Sequence, residues 1–294
     1  MREPWVHRFV HANGLRFHCV TAGEGPAVIL LHGFPEFWYS WRRQIPALAR
    51  AGFRVVAPDL RGYNDSDKPE GVEAYRIGLI VEDVAGLMRA FGHDRAAIVG
   101  HDWGGAAAYA FAMLHPEMTD RLAVLNCPHP ALFSRALREG NLQQLRRSWY
   151  MFFFQLPGAP EELLSARNFR LLKRFAYANS RKGTFTPSSL REYVRAMAKP
   201  GALTATLNWY RAMFRRGSLP DREYPKISAP TLLIWGTRDH FLGKELTRGM
   251  KRYFSGPFRI TYLDGISHWV QQEAPERVNR LLLDWLDRSR KKPG

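Results

Sequence analysis

Most of the chain alternates between short apolar runs and segments with apolar residues at helical spacing. The continuous runs predict strands that are buried on both faces, and they cover residues 27–31, 54–58, 96–99, 122–126, 231–235 and 259–263. The residues on either side of Gly14 predict an opening hairpin. Strands that alternate with helices are typical of a parallel sheet with helices on both sides. We therefore expect an α/β fold with a mostly parallel central sheet.

Apolar residues spaced by three and four positions predict the helices between these strands. One helix is expected to end near Gly52, and its apolar stripe consists of Trp38, Trp41, Ile45 and Leu48. Similar stripes at 81–91 and 278–286 predict a helix in the middle of the chain and a closing helix.

The alternation stops between residues 130 and 224, where no strand pattern occurs. This segment is rich in aromatic and basic residues, as in 148–154 and 207–211, and it reads as a mostly helical insertion. We therefore expect a core domain formed by residues 1–129 and 225–294, with a helical cap formed by residues 130–224.

The length and composition of the chain favour a globular protein. Its 294 residues are 46% hydrophobic, and its two cysteines are too few for a disulfide framework. A membrane-spanning helix needs about 20 apolar residues in a row, and no such run occurs. The N-terminal residues lack the apolar core of a secretory signal. We expect a cytoplasmic protein.

The chain is strongly basic, with 43 Lys and Arg against 27 Asp and Glu, a formal net charge of +16. These residues are spread along the sequence, and the densest group is at 288–292. No nucleic-acid-binding motif accompanies them, so we expect a solvated basic surface and no specific nucleic-acid partner. A surface that binds anionic lipid or nucleic acid is the alternative interpretation.

The predicted strand at 96–99 runs into a tight turn, Gly100-His101-Asp102-Trp103-Gly104-Gly105, and then into a helix of small residues. This pattern is typical of a nucleophile elbow, which projects one side chain beyond the end of a strand. The N-terminus of the helix supplies unpaired N–H groups and a partial positive charge behind that side chain. The elbow residue is Asp102, where an esterase carries serine.

Two polar residues after later strands complete a candidate triad. Asp239 follows the strand at 231–235, and His268 follows the strand at 259–263. The C-terminal ends of parallel strands meet at one edge of the sheet, so both are expected near Asp102. The chain order of nucleophile, acid and base is that of the α/β-hydrolases. Alone, Asp239 and His268 are equally compatible with ordinary loop positions. Asn126 ends another strand, but its amide cannot supply the charge of the acid.

Taken in order, the motifs resemble those of the epoxide hydrolase family of α/β-hydrolases. They span nearly the whole chain and comprise His32-Gly33-Phe34-Pro35-Glu36, Asp59-Leu60-Arg61-Gly62-Tyr63, the elbow at 100–105, Asp239, Ser267-His268-Trp269 and two tyrosines of the insertion. The resemblance implies an α/β-hydrolase fold with a helical cap, and the addition of water to an epoxide to give a vicinal diol. It implies no metal and no organic cofactor. The implied partners are a small lipophilic epoxide and water.

The resemblance also implies the roles of the core residues. Asp102 attacks a ring carbon and forms an ester, which a carboxylate can do because it is already ionised near neutral pH. His268 activates the water that hydrolyses this ester, and Asp239 orients and stabilises His268. The backbone N–H groups of Phe34 and Trp103 form the oxyanion hole.

In the cap, the resemblance implies that Tyr150 and Tyr210 donate protons to the epoxide oxygen. Tyr150 lies in an aromatic run, and a packing role is the alternative for it. The expected substrate-binding residues are Phe34, Trp103, Trp149 and Trp209. For Trp149 and Trp209, a place in the hydrophobic core is the alternative.

Other functions remain open at this point. A haloalkane dehalogenase shares the aspartate nucleophile, but halide release needs no protonation, so paired tyrosines would have no purpose there. A ligand-binding protein without catalysis is also compatible with this scaffold, although such a protein tends to lose a member of the triad and this chain keeps all three.

Overall fold

The structure, a computed structural model, describes residues 4–215 and 224–287. Its strands are β1 (Val6–Ala12), β2 (Leu15–Ala22), β3 (Ala27–Leu31), β4 (Arg54–Pro58), β5 (Ala96–His101), β6 (Thr119–Leu125), β7 (Thr231–Gly236) and β8 (Phe258–Leu263). They form an eight-stranded sheet in the order β1-β2-β4-β3-β5-β6-β7-β8. The pairs β1–β2 and β2–β4 are antiparallel, and the other five pairs are parallel. The predicted hairpin and the mostly parallel sheet are therefore confirmed.

The α-helices are α1 (Ile45–Arg50), α2 (Ile77–Ala90), α3 (Trp103–Leu114), α4 (Pro130–Arg138), α5 (Leu142–Arg147), α6 (Trp149–Phe153), α7 (Ala159–Tyr177), α8 (Pro187–Met197), α9 (Ala202–Met213), α10 (Val270–Glu273) and α11 (Pro275–Leu286). Short 3₁₀ helices cover Trp38–Trp41, Glu73–Tyr75, Lys244–Thr247 and Met250–Tyr253. Helix α7 is interrupted at residues 166–169, where the backbone leaves the helical conformation.

The single helix expected from Trp38 to Gly52 is wrong. The segment consists of the 3₁₀ helix Trp38–Trp41 and the separate helix α1, which begins just before Pro46. Proline has no N–H to donate, and its ring clashes with the carbonyl four residues earlier in a helix interior. A continuous helix through Pro46 is therefore disfavoured, whereas a new helix that has this proline in its first turn is not.

Alternate residues of the buried strands face two separate parts of the core. Ile29 and Leu31 of β3 belong to one hydrophobic cluster, which includes the apolar face of α2 and α3. Val28 and Leu30 belong to the other, which includes α1 and α11. A strand with this pattern reads as a continuous apolar run because both of its faces are covered. The parallel strands are thus held rigidly, and their C-terminal ends form a fixed edge.

Helices α4–α9, which we call the cap, occupy the segment where the sequence predicts a helical insertion. Within 130–215 the structure has helices and no strand. Helix α8 begins where the Thr186 hydroxyl accepts a hydrogen bond from the Ser189 amide at 3.2 Å, and Pro187 occupies its first turn. Residues 216–223 of the expected cap lie outside the described part, and the division into core and cap domains stays a prediction.

Cys19 and Cys127 are both buried and free of disulfide bonds. Among the residues that are described, no helix is both long and apolar enough to cross a membrane. The basic segment at 288–292 lies outside the described residues.

Helix α3 packs very closely against the sheet at its N-terminal end. A Cβ atom added to Gly104 would overlap the backbone carbonyl of Leu31 in β3. Only glycine allows two backbones to approach this closely, so Gly104 fixes the distance between the elbow helix and the neighbouring strand.

The substitution Gly104→Ala is expected to lower the free energy of unfolding by about 1–3 kcal/mol, because the methyl group must displace backbone atoms. Gly78 also occupies the second position of a helix, but a Cβ there meets no atom within 4 Å. Gly78→Ala is therefore the matched control, expected to be neutral or stabilising by up to about 1 kcal/mol. Urea unfolding of both variants tests this, and equal stabilities would contradict it.

Candidate active site

The ends of four parallel strands bring the expected core residues to one edge of the sheet. Asp102 follows β5, Asp239 follows β7, His268 follows β8, and Phe34 follows β3. Ligands of open parallel sheets bind beyond the carboxyl ends of their strands. The structure thus places these residues where such sheets build their sites.

The backbone at the elbow is strained. Asp102 has φ 53° and ψ −121°, a conformation that side chains other than glycine rarely adopt. Such strain is found where surrounding contacts impose it, often at functional sites. Opposite it, Gly33 has no room for a Cβ because that atom would overlap the Asp102 side chain. The turn therefore presses the carboxylate against the loop that follows β3.

The three expected members of the triad form a continuous chain of contacts. His268 Nε2 lies 3.4 Å from Asp102 Oδ2, and His268 Nδ1 lies 2.7 Å from Asp239 Oδ2. The residue His268 is 2% exposed. Asp102 and Asp239 thus face the two ring nitrogens of one buried imidazole, which is the arrangement of a base with its orienting acid.

Burial and charge act in opposite directions on these groups. Burial alone would lower the pKa of His268, but the carboxylates of Asp239 and Asp102 raise it to about 10. Burial alone would raise the pKa of Asp102, but His268 and the Phe34 amide hold it below the usual value. The same balance lowers the pKa of Asp239. The resting site therefore holds an imidazolium between two carboxylates.

Four nitrogen atoms, including His268 Nδ1, lie within hydrogen-bond distance of the Asp239 carboxylate. Its Oδ1 accepts hydrogen bonds from the amides of Phe241 and Leu242 at 2.8 and 3.0 Å. Its Oδ2 accepts one from Asn126 Nδ2 at 2.6 Å and faces His268. The Asn126 carbonyl oxygen in turn accepts the Gly236 amide at 2.8 Å. The only sign of this supporting role in the sequence is the position of Asn126 at a strand end, which does not by itself predict it.

A backbone donor already engages the elbow carboxylate. The Phe34 amide donates a hydrogen bond to Asp102 Oδ1 at 2.9 Å. The Trp103 amide opens the first turn of α3, where amides have no acceptor within the helix. The two oxygens of Asp102 therefore differ, since Oδ1 faces an amide and Oδ2 faces His268.

Tyr150 and Tyr210 lie close together and border the same spaces as Asp102. Tyr150 is 7% exposed and Tyr210 is 3% exposed, and their ring centroids are 5.8 Å apart. Burial and the nearby charge of Asp102 raise the pKa of each phenol well above its usual value. Both hydroxyl groups consequently stay protonated at neutral pH and are available as donors.

Two polar side chains join the helices that carry the tyrosines. Gln155 donates from Nε2 to the backbone carbonyls of Met151 at 2.8 Å and Tyr210 at 3.2 Å. Arg211 donates to the Phe154 carbonyl at 2.9 Å and pairs with Glu161 at 2.7 Å. These contacts join the end of α6 to α9 and to α7. They hold the two phenols at a fixed separation.

A second buried pair lies behind His268. His101 Nε2 lies 2.9 Å from the His268 carbonyl oxygen, and its Nδ1 lies 3.2 Å from Glu36 Oε2. Glu36 also accepts hydrogen bonds from Gln271 at 3.0 Å and Gln272 at 2.7 Å. The sequence alone predicts no role for Glu36 or His101. Their contacts support the backbone that carries His268.

His32 fixes the loop between β3 and the first 3₁₀ helix. Its Nε2 accepts a hydrogen bond from the Leu60 amide at 3.0 Å, and its Nδ1 lies 3.0 Å from the Gly33 carbonyl oxygen. An imidazole that accepts at one nitrogen and donates at the other is neutral, and burial lowers the pKa of His32 accordingly. The Phe34 amide is therefore presented from a fixed loop.

Two spaces of very different size open from Asp102. The larger cavity has a volume of about 420 Å³ and is lined mainly by apolar side chains, including Trp103 and Trp209. The smaller, which we call the histidine chamber, has a volume of about 10 Å³ and includes Phe34 and His268 in its wall. Phe34, Trp103 and Trp209 thus lie where a substrate is expected.

Trp149 lies apart from the other three expected substrate-binding residues, and its role stays a prediction. Its side chain is 57% exposed, and it borders neither space. The ring lies against Phe153 and Phe175 on the outside of the cap. Successive residues of a helix point about 100° apart, so the burial of Tyr150 turns its neighbour Trp149 outward.

In the described part of the chain, one group of side chains has the spacing of metal ligands, namely His18, Asp59 and Asp65. Asp59 already accepts the Trp38 amide at 3.0 Å and lies 2.7 Å from His18, and Asp65 pairs with Lys199. These carboxylates have partners within the protein, so the group reads as structural.

Comparison with known proteins places this geometry in a family. A family model described as the alpha/beta hydrolase fold matches residues 26–275. The chain is 42% identical over 281 residues to the AB hydrolase superfamily protein YfhM of Bacillus subtilis, a match that covers 95% of this chain and 97% of the relative. It is 41% identical to epoxide hydrolase 4 of Mus musculus, which covers 93% of this chain and 77% of the relative.

A solved structure gives the same result. The crystal structure of Bacillus megaterium epoxide hydrolase in complex with an inhibitor superposes with a TM-score of 0.88 at 32% identity, covering 95% of this chain and 99% of the other. The chain belongs to the α/β-hydrolase superfamily and, within it, to the epoxide hydrolase family.

Proposed function

We propose that the protein adds water to an epoxide and releases a vicinal diol, through an ester formed on Asp102. The observation that carries this proposal is the pair of buried phenols, Tyr150 and Tyr210, that lies with the Asp102 carboxylate around the same spaces. A nucleophile on one side and two proton donors on the other are what ring opening requires. The names of the relatives and of the solved structure support the same reaction class.

In the first step, Asp102 Oδ2 attacks a ring carbon. The bond between that carbon and the epoxide oxygen breaks, and the electron pair stays on the oxygen. One of the phenols gives its proton to this oxygen and recovers a proton from the His268 imidazolium. The raised pKa of His268 depends partly on the charge of Asp102, and the ester has no charge. Formation of the ester therefore favours the neutral imidazole that the second step needs.

In the second step, His268 takes one proton from a water molecule, and the oxygen of that water adds to the carboxyl carbon of Asp102. The Phe34 and Trp103 amides stabilise the negative charge on Oδ1. The intermediate collapses, and the bond between the carboxyl carbon and the substrate oxygen breaks. The leaving oxygen takes the second water proton. The site returns to a carboxylate beside an imidazolium, which is its resting state.

A haloalkane dehalogenase is less well supported. A departing halide needs no proton, and the two buried phenols would then have no task. The cytoplasmic location expected from the sequence stays a prediction. The two buried cysteines, which are not joined in a disulfide, are compatible with it.

The wild-type protein is expected to form diol from a terminal epoxide and to release no halide from a chloroalkane. Tyr210→Phe and Tyr150→Phe should each lower the rate of ester formation, and the double variant should lower it by about a hundredfold or more, the typical contribution of a general acid. Tyr109 is buried as deeply but borders neither space, so Tyr109→Phe is the control. Halide release, or wild-type turnover by the double variant, would contradict the proposal.

His268→Gln is expected to accumulate the ester, since attack by Asp102 needs no base whereas hydrolysis does. After mixing with an epoxide, mass spectrometry should show the mass of the substrate added to the elbow peptide. Asp102→Asn in the same background is the control and should remain unmodified. An unmodified peptide in His268→Gln would argue against the two-step scheme.

A further inference from the structure

We propose that the preferred substrates are epoxides that carry all of their bulk on one ring carbon, and chiefly terminal epoxides with an apolar substituent. This inference rests on the proposed function and deepens it. The observation behind it is the unequal division of space around Asp102, with about 420 Å³ on one side and about 10 Å³ on the other.

The reacting ring has to lie where the two spaces meet. Asp102, Tyr150 and Tyr210 are the residues that border both the larger cavity and the histidine chamber. An epoxide held between the carboxylate and the phenols therefore has one ring carbon directed to each side. Whatever is attached to a ring carbon must fit into the space that this carbon faces.

The larger cavity accepts a bulky apolar group. Its volume lies in the range of small-molecule sites. Small side chains create much of this room, since Ala106 and Ala110 of α3 and Ala212 of α9 contribute to its wall. An alkyl or aryl substituent can be buried there against apolar surface, which is favourable by about 25 cal/mol for each Å² removed from water.

The histidine chamber accepts about one water molecule. A site needs roughly 10–15 Å³ to hold one water molecule, and the chamber has about 10 Å³. Its walls are bulky and include the aromatic rings of Phe175, Phe241 and Trp269. It contains His268, which the larger cavity does not have among its described lining residues. The chamber therefore serves the water of the second step and excludes a carbon chain.

This division separates isomeric epoxides. In a trans-disubstituted epoxide the two substituents leave the ring in opposite directions, so one of them is directed at the histidine chamber. That substituent would meet the aromatic walls and displace the water beside His268. In a terminal epoxide the corresponding ring carbon bears only hydrogen atoms.

The test compares kcat/KM of the wild-type enzyme for 1-octene oxide, trans-4-octene oxide and propylene oxide. The kcat/KM for 1-octene oxide is expected to exceed that for trans-4-octene oxide by about a hundredfold, because the histidine chamber cannot hold the second alkyl group of the trans epoxide. Comparable values for the two isomers would overturn the inference and leave the proposed function intact. Absence of diol from all three epoxides would refute the proposed function, and the inference with it.

Two variants locate the effect. Ala212→Phe reduces the larger cavity and should lower kcat/KM for 1-octene oxide by about tenfold more than for propylene oxide. Phe175→Ala enlarges the histidine chamber and should raise the trans-to-terminal ratio by about tenfold. Phe152 is 48% exposed on α6 and borders neither space, so Phe152→Ala is the control and should leave all ratios unchanged.

Should Ala212→Phe fail to fold, Ala110→Leu narrows the same cavity from α3. Variants at Ala212 or Ala110 that lower turnover of all three epoxides equally would count against the assignment of the larger cavity to the substituent. If the trans-to-terminal ratio of kcat/KM is the same in Phe175→Ala as in Phe152→Ala, the histidine chamber is not what excludes the trans epoxide.

Discussion

A carboxylate that is largely withdrawn from water needs partners that offset its lost hydration. Asp102 has two, the Phe34 amide at 2.9 Å and the His268 ring at 3.4 Å. These partners keep the group ionised, as its lowered pKa indicates. They also assign different surroundings to its two oxygens. Oδ2 is thus placed to act as the nucleophile and Oδ1 to carry the later negative charge before any substrate binds. The remaining features of the site maintain this difference between the two oxygens.

The fold supplies that asymmetry through several rigid parts that converge. The parallel strands are covered on both faces, so their ends cannot shift independently. Gly33 allows the Asp102 side chain to lie against the loop after β3, and Gly104 allows helix α3 to lie against β3. Asn126 and Glu36 act further out, where they hold Asp239 and the backbone near His268. The cap then adds donors that are positioned by Gln155 and Arg211 instead of by the sheet.

Local patterns in the sequence predicted the sheet and the elbow well. Buried parallel strands give continuous apolar runs, and the glycines that flank Asp102 reflect a turn that has little room for side chains. Proline chemistry explains why the expected helix over Trp38–Gly52 is instead two short elements. The spacing of apolar residues alone does not predict this interruption, which becomes evident only when the effect of Pro46 is considered.

Long-range pairings were beyond the reach of local patterns. The closeness of Tyr150 and Tyr210 depends on how α6 and α9 pack, and only the family resemblance singled them out of eleven tyrosines. An aromatic run also does not tell which of two adjacent rings faces inward, and Trp149 is the exposed ring of the pair that it forms with Tyr150. The supporting role of Asn126, and those of Glu36 and His101, depends on partners more than 60 residues away along the chain. The unequal spaces around Asp102 likewise arise only from the assembled fold.

The most direct test of the account follows the oxygen atom that Asp102 gives up. With enzyme in excess over epoxide in oxygen-18 water, a single turnover should yield unlabelled diol and place the label on the Asp102 carboxylate. Repeated turnovers should then transfer the label to the diol. Labelled diol in the first turnover, with an unlabelled elbow peptide, would show that water attacks the epoxide directly and would contradict the account.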